Sequence, residues 1–135
     1  GSRLTIVFSE GVAKGRMDLP TFARLTAFNP ARLFGLAPAK GSIAPGADAD
    51  LVLWDPSKKV TITNRILQHV IDYTPYEGLE VTGWPVLTMK GGRLVMRDGT
   101  VQAEPGSGKF LPRGPYELIR PLGVPPNGFD AARFA

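Results

Sequence analysis

The chain has 135 residues, 43% hydrophobic and 21% charged, a length and mix that suit one globular domain or the end of a larger one. Its net charge of +4 is spread from Arg16, Arg24 and Arg32 to Lys58, Lys59, Arg93, Arg97, Arg113 and Arg120, with carboxylates between, which speaks against a nucleic-acid-binding face. Cysteine is absent, which rules out disulfides, thiolate metal sites and cysteine nucleophiles in this chain.

No apolar run approaches the roughly 20 residues of a membrane-crossing helix. No basic segment followed by an apolar one opens the chain as a signal peptide would. These features lead us to expect a cytoplasmic protein with neither membrane nor nucleic-acid partners. Gly1-Ser2 stands where a Met is usual, so a start within a longer protein is expected.

Leu4, Val7, Phe8 and Val12 recur at helical spacing, and Gly15 is placed to end that helix. Asp18 then reads as an N-cap, with Pro20 in the first turn of a second helix. Leu19, Phe22, Ala23 and Leu25 form its expected buried stripe. Asn29-Pro30 reads as a fresh start, with Asn29 the cap and Pro30 the first helical residue. Leu33 and Phe34 are expected to point inward and Gly35 to stop the helix.

From residue 39 the pattern changes. Residues 41–46 are turn-rich, Asp50 to Asp55 is a short apolar strand, and Lys59 to Thr63 alternates as a second strand. Residues 64–79 read as a loop or short helical turn. Pro85 to Lys90 and Arg93 to Arg97 flank Gly91-Gly92, a strong hairpin signal, because a type I′ turn needs positive φ at both positions. Asp98-Gly99 marks another tight turn before a brief strand from Thr100 to Ala103. Beyond Glu104, Pro and Gly dominate, as in an extended arm with little core of its own.

Candidate chemistry is sparse. His69 is the only histidine, and by itself it cannot build a metal site; we read it as partly buried or interfacial. Asp48, Asp50 and Asp55 crowd one strand and its approach, and we read them as turn residues whose carboxylates accept backbone N–H groups. Gly106-Ser107-Gly108-Lys109 looks like the end of a phosphate-binding loop, but Ala103 replaces the needed Gly and Phe110 the needed Ser or Thr. None of the five serines sits in a nucleophile elbow. The densest polar-aromatic cluster, Asp72 to Gly78, reads as a structured loop with packed tyrosine rings and Glu77 as a cap or ion-pair partner.

Two segments carry a family resemblance. Asn-Pro-Ala-Arg-Leu-Phe-Gly-Leu at 29–36, followed by Lys40 to Asp55 with its Gly-Ala-Asp-Ala-Asp-Leu-Val run, resembles the closing signature of the metal-dependent amidohydrolase superfamily. Val70 to Gly78, Val81 to Val86 and Gly106 to Arg113 are similar to the C-terminal portion of dihydropyrimidinases and D-hydantoinases. The resemblance covers about residues 4–113.

The resemblance implies an α+β fragment: the last helices of a (β/α)8 amidohydrolase barrel, then part of a β-sandwich and an extended C-terminal arm. The corresponding divisions are terminal barrel helices at 1–38, the sandwich part with its intervening loop at 39–104, and the arm at 105–135. It further implies a parent enzyme that opens cyclic amides, dihydropyrimidines or hydantoins, at the ring C–N bond. Such enzymes use two divalent metals, as a rule zinc, held by histidines, an aspartate and a carboxylated lysine, and a metal-bound hydroxide attacks the ring carbonyl. No position in this chain matches those ligands, so we assign it no catalytic, cofactor-binding or metal-binding residue and expect it to be inactive alone. Unpaired strand edges lead us to expect a homo-oligomer. The alternatives are a non-catalytic dihydropyrimidinase-like binding or scaffolding protein and a free-standing β-rich interaction module.

Overall fold

The computed structural model describes residues 2–113, so all of the arm expected at 105–135 except its first residues, 105–113, lies outside the described residues. Helix α1 spans Arg3–Val7 and runs directly into a wider, π-helical segment, Phe8–Ala13. Gly15 closes it at φ 69°, a left-handed conformation that glycine adopts without a Cβ penalty. The inward face differs from the expected one. Thr5, Phe8 and Ser9 are buried, while Leu4, Val7 and Val12 are half-buried. The extra residue per turn of the π segment shifts which side chains face the sheet.

Helix α2, Leu19–Ala23, starts as read: the Asp18 backbone is extended and its Oδ1 accepts the Thr21 N–H at 2.8 Å. The expected break at Asn29-Pro30 does not occur. A second π-helical segment, Arg24–Phe28, carries the chain straight into α3, Asn29–Leu33, and Asn29 is helical at φ −63°. Proline in a helix lacks a donor and collides with the carbonyl four residues back. The widened turn before it displaces those carbonyls, so Pro30 is accommodated without ending the helix. Gly35 does end it, at φ 66°, and Leu36 N–H returns to Ala31 O at 2.8 Å.

The expected burial of this second helical stretch holds only in part. Phe22 faces inward, but Leu19 and Leu25 are 58% and 50% exposed, and Leu33 and Phe34 also stand in solvent. Helix α2 meets the π-helical segment Phe8–Ala13 along one side, and its outer face has no counterpart among the described residues.

Four strands form one antiparallel sheet in the order β1 (Leu51–Thr61), β2 (Glu80–Lys90), β3 (Arg93–Arg97), β4 (Thr100–Val101). The two strands read at 50–55 and 59–63 are a single strand, β1, interrupted by a bulge. Its pairing slips between Asp55↔Trp84 and Lys59↔Thr82. Asp55 holds the bulge by accepting the Ser57 N–H, the Ser57 hydroxyl and the Lys58 N–H. These bonds, the Ser57 hydroxyl's first, hold the Asp55 carboxyl below its ordinary pKa. Pro56 is tolerated because β1 is an edge strand and needs no second ladder. Both expected tight turns are present, with Gly91 and Gly92 at φ 54° and 77° and Asp98 and Gly99 at 48° and 80°.

The helices meet the sheet where β2 passes under α1. Gly83, at φ 96°, lies against the Phe8 ring so closely that a Cβ there would overlap the ring and stand 2.9 Å from Trp54 Nε1. Phe8, Phe22 and Trp54 form an aromatic cluster with centroids 5.0–5.9 Å apart. Thr82 lies on β2 beyond the reach of β3, and the buried Ser9 hydroxyl accepts its N–H at 3.0 Å. Beside this seam, Ile62, Leu67 and Val81 form the fully buried core, flanked by Ile6, Val60, Ile66 and Trp84.

Candidate functional site

The loop joining β1 to β2 carries His69 and the polar-aromatic cluster at 72–78. Its base is pinned. Glu77 Oε2 accepts the Asn64 N–H at 2.7 Å, capping a short 3-10 turn at Asn64–Ile66, while Ile62 and the 78–79 segment exchange backbone bonds of 2.8 and 2.9 Å. The capping expected of Glu77 is therefore present. Gln68 sits in the left-handed region at φ 47°, and its side-chain amide donates to Gly99 O in the β3–β4 turn. A non-glycine residue is rarely left there without a compensating contact, and the Gly99 carbonyl supplies one.

The tip of the loop is open. His69 is exposed rather than partly buried, Val70 is fully in solvent, and Tyr73 is 66% exposed. The packed tyrosine rings expected from the sequence are absent here, because no other described element covers the tip. His69, Tyr73 and Tyr76 instead border an open depression of about 190 Å³, together with Ser2, Leu67 and Ile71. Small-molecule sites generally occupy roughly 300–1,000 Å³ and enclose most of their ligand. This depression is smaller than that and open to solvent.

The aspartates are engaged in structure. Lys40 Nζ lies 2.8 Å from Asp48 Oδ2 and 2.5 Å from Asp50 Oδ2. Asp50 Oδ1 accepts the Gly91 N–H at 2.7 Å. The Lys40 ammonium, then the Gly91 N–H, hold the Asp50 carboxyl below its ordinary pKa, and the two carboxylates raise that of Lys40. The turn role expected of these aspartates is thus refined: Asp50 reaches a backbone N–H 41 residues away rather than one in its own turn. The Gly106–Lys109 stretch has no helix after it among the described residues, which removes the context a phosphate loop requires.

A pair of divalent cations needs several convergent imidazole or carboxylate donors. Among the described residues no group of three His, Cys, Asp or Glu side chains converges. Asp48 and Asp50 already share an ammonium. The described residues do not fit a dinuclear metal site. Sequence reasoning missed Ser9, Lys40, Gln68 and Gly83 as organising residues. A signal existed only for Gly83, since a glycine inside a strand pattern marks a close approach or a bulge.

The combination of an antiparallel sheet led by Gly-Ala-Asp-Ala-Asp-Leu-Val and helices laid across it is that of a known family. The amidohydrolase family model matches residues 3–95, and the chain belongs to that family. Within it the resemblance is to hydantoinases. The chain is 45% identical over 117 residues to the D-hydantoinase of Geobacillus stearothermophilus, a match covering 87% of this chain and 25% of that protein. The dihydropyrimidinase of Brevibacillus agri superposes with a TM-score of 0.81 at 39% identity, over 87% of this chain and 25% of that one. The L-hydantoinase of Arthrobacter aurescens does so with a TM-score of 0.78 at 37% identity, over 82% and 24%. The chain thus spans about a quarter of the length of the relatives it matches.

Proposed function

We propose that this chain is the C-terminal part of a cyclic amidohydrolase that opens the ring C–N bond of dihydropyrimidines or hydantoins. The observation that carries this reading is the 45% identity to a D-hydantoinase sustained over 117 residues. In this reading residues 1–38 are the terminal barrel helices, 39–104 are part of the β-sandwich, and 105–135 are an arm. Two divalent metals, zinc by family analogy, would be held entirely by residues outside this chain. The donor set supports that division, since the chain has a single imidazole and, among the described residues, no three His, Cys, Asp or Glu side chains converge. The chain alone is then structural and without turnover.

The exposed apolar side chains of α2 and α3, and of the loop tip, support the same reading, because a surface of that kind is ordinarily covered by further protein. We further infer association between copies of the chain and a cytoplasmic location. No helix among the described residues is long and apolar enough to cross a membrane. Light scattering tests the first inference, and a monodisperse monomer would count against it.

The decisive experiment mixes this chain with a D-hydantoinase polypeptide lacking the matching quarter, and follows hydantoin and dihydrouracil opening. Restored turnover in the mixture, with none from either part, is the expected result. Turnover by this chain alone, or two bound zinc ions per chain by elemental analysis, would overturn the proposal.

A further inference from the structure

The Lys40-to-Asp55 run carries the family signature, and the structure gives it a physical task. Lys40 follows the stop of α3 and its N–H returns to Leu36 O at 3.0 Å, so its backbone belongs to the helical unit. Its ammonium lies between Asp48 and Asp50, at the far end of the connecting segment, and the Lys40 side chain is only 16% exposed. Asp50 reaches on to the Gly91 N–H, and Gly92 N–H donates to Ala49 O at 3.0 Å. Gly41 packs against α3, where an added Cβ would stand 2.5 Å from that of Ala31. A series of charge-assisted and backbone bonds therefore runs from the end of α3, across the connection, into the β2–β3 turn.

We propose that Lys40 is the lock of an interunit latch: its ammonium holds Asp50 on the Gly91-Gly92 turn and so fixes the sheet to the helical unit at a second point, remote from the Ser9–Thr82 seam. Removing the ammonium leaves two carboxylates facing each other with no cation between them. Asp50 then swings away and the turn loses its side-chain acceptor. Lys90, at the end of β2, is the other cation acting on Asp50, but Lys40 is the one in direct contact. The latch gives the spacing Lys-x9-Asp a mechanical reason, independent of any substrate.

The test is residue-resolved amide hydrogen exchange on the full chain, with Lys40→Met, Lys40→Arg and wild type compared at one pH. Exchange at Gly91 and Gly92 in Lys40→Met is expected to rise roughly tenfold or more, by local opening. Thr82, held by Ser9 across the seam, is expected to exchange as in wild type. Lys40→Arg is expected to restore most of the protection, since a guanidinium can bridge both carboxylates. Unchanged exchange at Gly91 and Gly92 in Lys40→Met would overturn the proposal. So would acceleration of Thr82 together with the turn, because Lys40 would then contribute only to global stability.

Discussion

The seam between α1 and β2 and the loop between β1 and β2 lie side by side, yet they treat their polar and apolar groups in opposite ways. At the seam the aromatic rings of Phe8, Phe22 and Trp54 close over a glycine, and the Thr82 N–H of β2 is taken up by Ser9. Only the Trp54 indole N–H is left without an acceptor there. At the loop the base is bonded at Asn64, Gln68 and Glu77, while Val70, Ile71 and Tyr73 stand in solvent. The contrast separates a part of the fold that completes itself from a part whose apolar surface awaits a partner.

Substitution at the seam should therefore unbalance the whole fold. Phe8→Ala removes the ring at its centre and should cost about 4 kcal/mol, as large-to-small changes in closed cores do. Gly83→Ala adds a methyl into the same ring at positive φ and should cost roughly 3 kcal/mol. The two effects should not add. With the ring gone, the overlap with Phe8 is relieved and the backbone strain at φ 96° and the 2.9 Å approach to Trp54 Nε1 remain, so the double variant should be more stable than the sum of the single losses predicts. Urea unfolding of the four proteins measures the coupling, and strict additivity would mean that Gly83 is needed for its backbone conformation alone.

Ser9→Ala comes next. It leaves the part-buried Thr82 N–H without its protein acceptor, which costs about 1 kcal/mol. Ser9→Thr keeps the hydroxyl and should recover most of the loss. Equal destabilisation by both would show that the site responds to volume and not to the hydrogen bond.

Much of this arrangement was legible in the sequence where a local rule acts alone. Asp18 announced its helix because capping needs only the next three residues, and the Gly91-Gly92 and Asp98-Gly99 turns were readable because positive φ at two successive positions restricts the choice of residue. What was hidden depends on partners distant in the chain. Residues 50–55 and 59–63 read as two strands, and it takes an edge position for Pro56, with Asp55 bonding across the bulge, to make them one. Pro30 argued for a new helix, and it takes a π-helical turn to carry it within one. His69 was expected to be partly covered, and whether it is depends on what lies over the loop. The pairing of Lys40 with two aspartates had no signal in composition or periodicity, because the residues meet only after the connection folds back on the hairpin.

The latch predicts a smaller, pH-dependent effect. Asp50 titrates below its unfolded value of about 3.9 because the charged form is held by Lys40. Its contribution to stability is therefore fully present above that value and disappears as pH falls through the lower folded pKa. Lys40 is shifted upward, so its contribution is present below about 10.4 and fades as pH rises through the raised folded pKa. Stability from the pair should thus be flat across neutral pH and decline at both extremes. In Asp50→Asn the acid-side decline should shrink measurably in thermal melts between about pH 5 and pH 2. An unchanged acid limb would assign that decline to the other depressed carboxylates, Glu10, Asp18 and Asp55.

The smallest effect is expected at the loop tip, and it is the one that bears most directly on what this surface is for. Val70 and Ile71 make little internal contact, so Val70→Ser and Ile71→Ser should change unfolding free energy by less than about 0.5 kcal/mol. The same substitutions remove exposed apolar area, and should lower self-association in sedimentation or light scattering. If instead they destabilise the monomer by a kilocalorie or more, the tip is packed in solution and the contrast with the seam disappears. If stability holds and association falls, the apolar tip is an interface, and the loop's bonded base is what presents it. Glu77 and Gln68 would then serve as supports for that surface. Replacing Gln68 by Gly, which tolerates φ 47° but cannot reach Gly99, should loosen the tip while leaving the Ile62–Val81 core intact.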